Sequence, residues 1–221
     1  MTLIISENKW TYYNDSDSFV CEWVRNLIKA GLVPDGEVDE RPIQEVTPSD
    51  VRNFRHAHWF CGILGWLVAL QLAGWPTTRP LWTASLPCQP FSQAGKRRGT
   101  ADARHLWPAL YRIICECHPE CVVGEQVASA IGHGWLDGIF GALEAEGYTC
   151  GAVVLGAHSV GAPHIRQRFY WVGIADDRRQ RRQGRGTFTV SRESSFSWCQ
   201  DVRSVEDLRR RSDLPPSLIR S

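Results

Sequence analysis

The sequence predicts an α/β fold, a mostly parallel sheet with helices on both faces. Three observations carry that expectation. Short apolar runs alternate with stretches of helical periodicity through the first 175 residues. Chain-breaking residues fall between them: Gly31, the turn Pro34-Asp-Gly36, Pro119 and Gly147. With 43% hydrophobic and 22% charged residues, the composition is that of a globular domain, and 221 residues suffice for one sizeable core and a small appendage.

In chain order, the stretch from Trp10 opens as a short strand. Asp17 or Ser18 then caps a helix with Phe19, Trp23, Leu27 and Ile28 on one face, which Gly31 ends. A long connection runs from Ile43 to Ala57. His58 to Gly74 reads as strand, tight loop and helix, and residues 81–86 as a strand delivering Pro87-Cys-Gln-Pro-Phe-Ser92. Leu106–Cys117 is a predicted helix, Cys121–Gly124 a strand ending at Glu125, Trp135–Glu146 a helix, and Tyr148–Leu155 and Phe169–Ile174 two more strands. Pro87-Cys88 and Glu125 therefore stand at strand exits, where a parallel α/β sheet places its functional groups.

The pattern fails after residue 175, which divides the chain into a domain over 1–175 and a basic, flexible tail over 176–221. The domain carries 14 Lys and Arg against 17 Asp and Glu, and the tail 11 against 7. A net charge of +1 makes no case for nucleic acid, but phosphate attraction needs only a local basic face. No apolar run approaches the roughly 18 residues of a membrane span. Glu7 and Lys9 do not resemble a secretion signal, so the expectation is a cytoplasmic protein whose eight cysteines are thiols.

Cys88 is confined between two prolines. A thiol held at a strand exit is placed to attack an electron-poor carbon once deprotonated. For an isolated cysteine, burial as a small hydrophobe is the commoner fate. Here the flanking residues speak for chemistry, because Pro87-Cys-Gln-Pro-Phe-Ser92 resembles the nucleophile motif of DNA cytosine-5 methyltransferases. Gly124-Glu-Gln-Val127 resembles their acid motif, usually Glu-Asn-Val, and His164-Ile-Arg-Gln-Arg168 their paired-arginine motif. Asp102, Arg104, Leu106 and Arg112 fit the intervening helix.

The resemblance runs from about Tyr12 to Ala175. It implies a Rossmann-like methyltransferase sheet and transfer of a methyl group from S-adenosylmethionine to carbon 5 of cytosine, flipped out of double-stranded DNA. Cys88 would form the covalent adduct and Glu125 would offset charge on the ring. Arg166 and Arg168 would hold the base carbonyl, a phosphate or the catalytic loop.

On the cofactor side, Phe60-Cys-Gly-Ile-Leu-Gly65 resembles the family's Phe-x-Gly-x-Gly-Gly loop. Phe60, Gly62 and Gly65 are its cofactor residues, and the loop's backbone is expected to curve around the methionine end of the cofactor. Leu64 stands where glycine is usual, so a positive φ there would strain it and its side chain would narrow the site. The resemblance makes Asp15 the ribose-binding acid, Asp17 the second acid of that segment, and Glu37 in Gly36-Glu-Val38 the adenine contact.

In the commonest arrangement the glycine loop precedes these acids. Here Asp15 and Glu37 come before Gly62, a permuted order that resembles phage-associated members and implies a phage or prophage source. No segment after Ala175 resembles the family's recognition region or its late Gln-x-Gly-Asn-Ser/Thr element. Two readings stay open: an active methyltransferase, alone or with a second subunit supplying recognition, and a non-catalytic DNA-associated or cofactor-binding remnant. Lys96, Arg97 and Arg98 are expected beside the DNA backbone. Cys115, Cys117, His118 and Cys121 are soft ligand types, but their placement favours a structural role, and no metal is expected.

Overall fold

The computed structural model describes residues 10–87, 103–128 and 134–176. Cys88, the Lys96–Arg98 loop and residues 177–221 of the predicted tail lie outside the described residues. The chain divides into two compact units, one up to Gln126 and one from Val127.

The first unit is built on five strands: β1 (Thr11–Asn14), β2 (Gly36–Asp39), β3 (His56–Trp59), β4 (Leu81–Ala84) and β5 (Cys121–Val127). They lie in the order β2-β1-β3-β4-β5, and every neighbouring pair is parallel. Each residue of β1, β3 and β4 is buried, as in a parallel sheet covered on both faces. Four helices accompany them: α1 (Ser18–Lys29), α2 (Pro48–Val51), α3 (Gly65–Leu72) and α4 (Ala103–Cys117).

The ends of α1 follow local rules. Asp17 Oδ1 accepts from Phe19 N at 2.9 Å as the N-cap. Gly31, at φ +68°, allows Gly31 N to reach Ile28 O and Leu32 N to reach Leu27 O, a Schellman stop. The buried stripe is not the predicted one. Cys21 and Val24 are buried, with Val20, Leu27 and Ile28 beside them, whereas Phe19 is 75% exposed and Trp23 48%. The Cys21 thiol donates to Asp15 O at 3.1 Å and Val24 packs on Tyr13, which turns the helix away from its largest aromatics.

The connection between β2 and β3 is more organised than its sequence implied. Thr47 and Asp50 form a capping box on α2, while Ile43, Val46 and Val51 are buried. Arg112 Nη2 donates to Val46 O at 2.7 Å, tying α4 to this segment. Among the described residues, no three or more His, Cys, Asp or Glu side chains come together as metal ligands.

Two buried histidines of β3 have polar partners. His58 Nδ1 and Thr83 Oγ1 are 2.8 Å apart, and His58 stacks on Tyr13 with ring centroids 5.4 Å apart. His56 Nε2 lies 2.8 Å from Thr77 O. Burial, and then the neighbouring His56, push the His58 pKa down to about 3, so both environments favour neutral imidazole.

The second unit contains α5 (Trp135–Ala145), β6 (Tyr148–Gly156) and β7 (Gln167–Ala175). Gly147, at φ +79°, follows α5, as its sequence position predicted. β6 and β7 pair antiparallel from Tyr148↔Ala175 to Gly156↔Gln167. Trp135 meets Phe169 edge-on with centroids 5.6 Å apart. Among the described residues no helix is long and apolar enough to cross a membrane.

The depressed His58 pKa has a defined sign. The unfolded chain takes up this proton near pH 6.5 and the folded one only near 3, so the stability is present above 6.5 and lost as pH falls through that window. Urea denaturation at pH 7, 6, 5 and 4 is expected to show a loss approaching about 1.4 kcal/mol per unit for this proton. His58→Phe removes that part of the slope.

Candidate active site

The strand registers bring one set of termini into line. Asn14 is opposite Asp39 and Trp59, Trp59 opposite Ala84, and Ala84 opposite Gly124. The next residues along the five chains are Asp15, Glu40, Phe60, Ser85 and Glu125, which together define the carboxyl edge of the sheet. Parallel α/β sheets bind ligands at this edge, because loops leave it and helix N-termini face it.

Asp15 links two of these exits. Its Oδ1 accepts from Asp17 N at 3.1 Å and its Oδ2 from Gly62 N at 3.0 Å. Cys61 N also donates to Asn14 O at 3.2 Å, so the glycine loop is tied to the end of β1 at two points. Asp17 is exposed and serves as the α1 cap. Burial pushes the Cys61 thiol up to about 12, and the Asp15 carboxylate adds to the shift.

The glycine loop turns through three left-handed residues: Phe60 at φ +53°, Gly62 at +46° and Leu64 at +60°. The strain expected at Leu64 is therefore present, at about 1–2 kcal/mol. Its side chain, however, does not stand in the open loop. It is 3% exposed and packs with Tyr13 and Val24 in the core. The φ +60° backbone turns the side chain inward, and apolar burial offsets the strain. Gly62 is left open, since a Cβ there would meet only Phe60 O at 3.9 Å. Gly65 is exposed and begins α3, which has no side-chain cap.

Glu37 is less directly placed. It lies opposite Tyr12, two residues before the end of β2, with its side chain exposed. The edge position on that strand belongs to Asp39, which is buried. Burial raises the Asp39 pKa, but bonds from Arg41 and the Tyr12 hydroxyl outweigh it and hold the carboxyl below its usual range. Asp39 thus closes the edge of the sheet. A carboxylate followed two residues later by arginine was its available sequence signal.

On the other side of the edge, Leu86 and Pro87 lead out of β4 toward Cys88. Glu125 is half-buried and directly follows Gly124, the last β5 residue paired with β4. Its neighbour Gln126 is buried, and Gln126 Nε2 donates to Leu86 O at 3.1 Å. Gln126 stands where the resembling acid motif usually has asparagine.

In the second unit, Arg166 is exposed at φ +29° immediately before β7. Arg168 lies within β7 opposite Leu155, with Nη1 donating to Gln167 O at 2.9 Å.

A separate cavity of about 980 Å³ lies between α1 and α3, lined by Trp23, Leu27, Leu67 and Val68 and reaching His56 and Trp10 near the amino ends of the strands. It is not the edge that collects Asp15, Pro87 and Glu125.

The five-strand order, the glycine loop and the acid at the adjoining strand end define a Rossmann-like methyltransferase fold. S-adenosylmethionine is the cofactor of this class. The residues present fit it: a ribose diol matches the Asp15 carboxylate, and a carboxylate matches the uncapped α3 N-terminus beyond the open Gly62.

The model of the C-5 cytosine-specific DNA methylase family matches residues 78–214, and the chain belongs to that family. Among its relatives, the type II methyltransferase M.NlaX of Neisseria lactamica is 32% identical over 134 residues, covering 59% of this chain and 42% of that protein. M.BanI of Aneurinibacillus aneurinilyticus is 35% identical over 95 residues, covering 41% of this chain and 22% of its own. The chain thus spans less than half of either relative. The S. pombe Dnmt2 methyltransferase structure matches with a TM-score of 0.49 at 16% identity, over 88% of this chain and 49% of that one.

The opposing terms at Leu64 can be separated. Leu64→Gly relieves about 1–2 kcal/mol of left-handed strain but forfeits a buried leucine worth about 2–5 kcal/mol. The expected net result in urea denaturation is a destabilisation of about 1–3 kcal/mol.

Proposed function

We propose that this chain carries the catalytic centre of a DNA cytosine-5 methyltransferase, with Cys88 as nucleophile and Glu125 as the acid beside it. The observation that carries this reading is the common carboxyl edge. It collects the Asp15–Gly62 pair, the Leu86–Pro87 lead into Cys88, and Glu125 on adjoining strands.

Each side chain has a chemical task. The Cys88 thiolate adds to carbon 6 of an extruded cytosine, forming the S–C bond and pushing an electron pair toward carbon 5. The Glu125 carboxyl shares its proton with ring nitrogen 3 and offsets the charge developing there. S-adenosylmethionine supplies an electrophilic methyl group when bound. After carbon 5 is alkylated, loss of its proton returns an electron pair to the ring and expels Cys88. Arg166 and Arg168 hold the base carbonyl or a phosphate, and Lys96, Arg97 and Arg98 meet the DNA backbone.

Cofactor contacts are assigned to Asp15, Phe60, Gly62 and Gly65, with Asp17 holding the start of α1. Glu37 reaches the adenine only if its exposed side chain folds back along β2. The order of parts is permuted: the acid strand β1 and β2 come first in the chain, yet β3 with the glycine loop lies between β1 and β4 in the sheet. That order supports a conventional site assembled from a rearranged sequence.

The catalytic domain is assigned to residues 1–175 and the basic tail to 176–221, with double-stranded DNA as substrate. A second subunit supplying target recognition is one form of this proposal. A cofactor-binding remnant is the competing reading, favoured by Leu64 and Gln126 where the resembling motifs usually have glycine and asparagine.

Two measurements separate these readings. Tritiated methyl transfer to mixed-sequence duplex DNA is expected with the wild type, with any required partner present, and lost in Cys88→Ala. Transfer that survives the substitution rejects Cys88 as nucleophile, and a wild type that binds cofactor without transfer favours the remnant. In calorimetry with S-adenosylmethionine, Asp15→Ala is expected to weaken binding by roughly 10- to 100-fold, the loss of charge-assisted hydrogen bonds worth about 1.5–3 kcal/mol.

A further inference from the structure

The second unit carries an unguarded strand edge. β6 pairs with β7 along its whole length and, among the described residues, has no strand on its other side. Alternate residues of an antiparallel strand turn their N–H and C=O groups away from the neighbour they pair with, so β6 presents a row of such groups outward. Folded proteins blunt edges of this kind with charges, proline, a bulge or a very short strand. β6 uses none of these. Its nine residues include no charged side chain and no proline. The register with β7 runs from Tyr148↔Ala175 to Gly156↔Gln167 without a skipped residue. Tyr148 and Ala152 are buried on the face that α5 covers, where a Cβ at Gly173 would meet Leu143 at 3.2 Å and Tyr148 at 3.4 Å. The cover stops short of the strand's far end, and Val153, Val154 and Leu155 are 37%, 38% and 48% exposed.

We propose that β6 pairs antiparallel with β6 of a second copy of this chain, about a two-fold axis at Ala152. Ala152 is the central residue of the nine, so this register overlaps the two strands over their full length. It sets Val153 opposite Gly151 of the second copy, Val154 opposite Cys150 and Leu155 opposite Thr149, and the axis repeats each pair. Every exposed aliphatic side chain thus meets a smaller one. The space beside Gly151 is open, since a Cβ there would meet only Val172 Cγ1 at 3.8 Å. Val154, beyond the reach of its own α5, comes to lie beside Cys150 of the second copy, on the covered stretch between Tyr148 and Ala152. Repulsion between like charges is the usual barrier when identical edges meet, and a strand with no charge raises none. That neutrality is what makes a copy of the same strand the fitting occupant. This pairing does not depend on the proposed chemistry.

Analytical ultracentrifugation of the full chain over a concentration series is expected to show a monomer–dimer equilibrium. Val153→Lys and Val153→Glu are each expected to raise the dimer dissociation constant by roughly tenfold or more. In this register the two copies of residue 153 share a face as diagonal neighbours about 7–8 Å apart, where like charges repel. An equimolar mixture of the two variants is expected to associate again, a recovery that misfolding would not give. In a second experiment, chains carrying Thr149→Cys are mixed with chains carrying Leu155→Cys under mild oxidation. Thr149→Cys gives up only an exposed bond to Asp176 Oδ1. A disulfide between the two substituted positions is expected in the mixture and not in either variant alone.

A wild type that stays monomeric at every concentration overturns the proposal, and a strand of another protein is then the occupant to seek. A dimer that both Val153 variants leave intact places the interface elsewhere and overturns it as well. If both Val153 variants fail to fold, the mixed disulfide decides alone: its formation supports the paired edge, and its absence rejects it.

Discussion

Five parallel strands reach a common line, and the site depends on that alignment. Backbone hydrogen bonding sets the register from Asp39 through Asn14, Trp59 and Ala84 to Gly124. Once those residues are level, the groups that follow them must emerge along one edge. Asp15, the glycine loop, the lead into Cys88 and Glu125 are far apart in the chain. They are brought together by ladder geometry rather than by direct attraction between functional groups.

The same alignment explains where side chains must replace backbone. Between β1 and β3, the Asp15 carboxylate reaches Gly62 N just past the end of pairing. Between β4 and β5, the Gln126 amide reaches Leu86 O. At the outer strand, Asp39 gathers Arg41 and the Tyr12 hydroxyl. The first two links lie just beyond the paired residues of their strands, and the buried Gln126 and Asp39 groups would be unfavourably placed without their partners.

The glycine loop balances two opposing effects. Leu64 occupies a backbone conformation in which glycine would be unstrained, but its side chain completes the contact among α1, β1 and α3. The leucine is therefore part of the packing that carries the loop. A similar balance holds in the sheet interior, where His56 and His58 occupy positions usually given to aliphatic residues. Hydrogen bonds to Thr77 and Thr83, stacking, and neutral rings make that burial tolerable.

By itself the sequence determined the local features: the alternating strands and helices, the Asp17 cap, the Gly31 and Gly147 stops, and the family motifs around Cys88, Glu125 and Phe60. These depend on a few neighbouring residues, whose dihedral preferences and hydrogen-bonding groups act wherever the segment lies. The outward placement of Phe19 and Trp23, the inward turn of Leu64, the position of Glu37 inside β2 and the reach of Gln126 to Leu86 were decided by tertiary structure alone. They depend on strand register and on which surfaces meet across long separations in the chain, and hydrophobic periodicity within one segment carries no information about either.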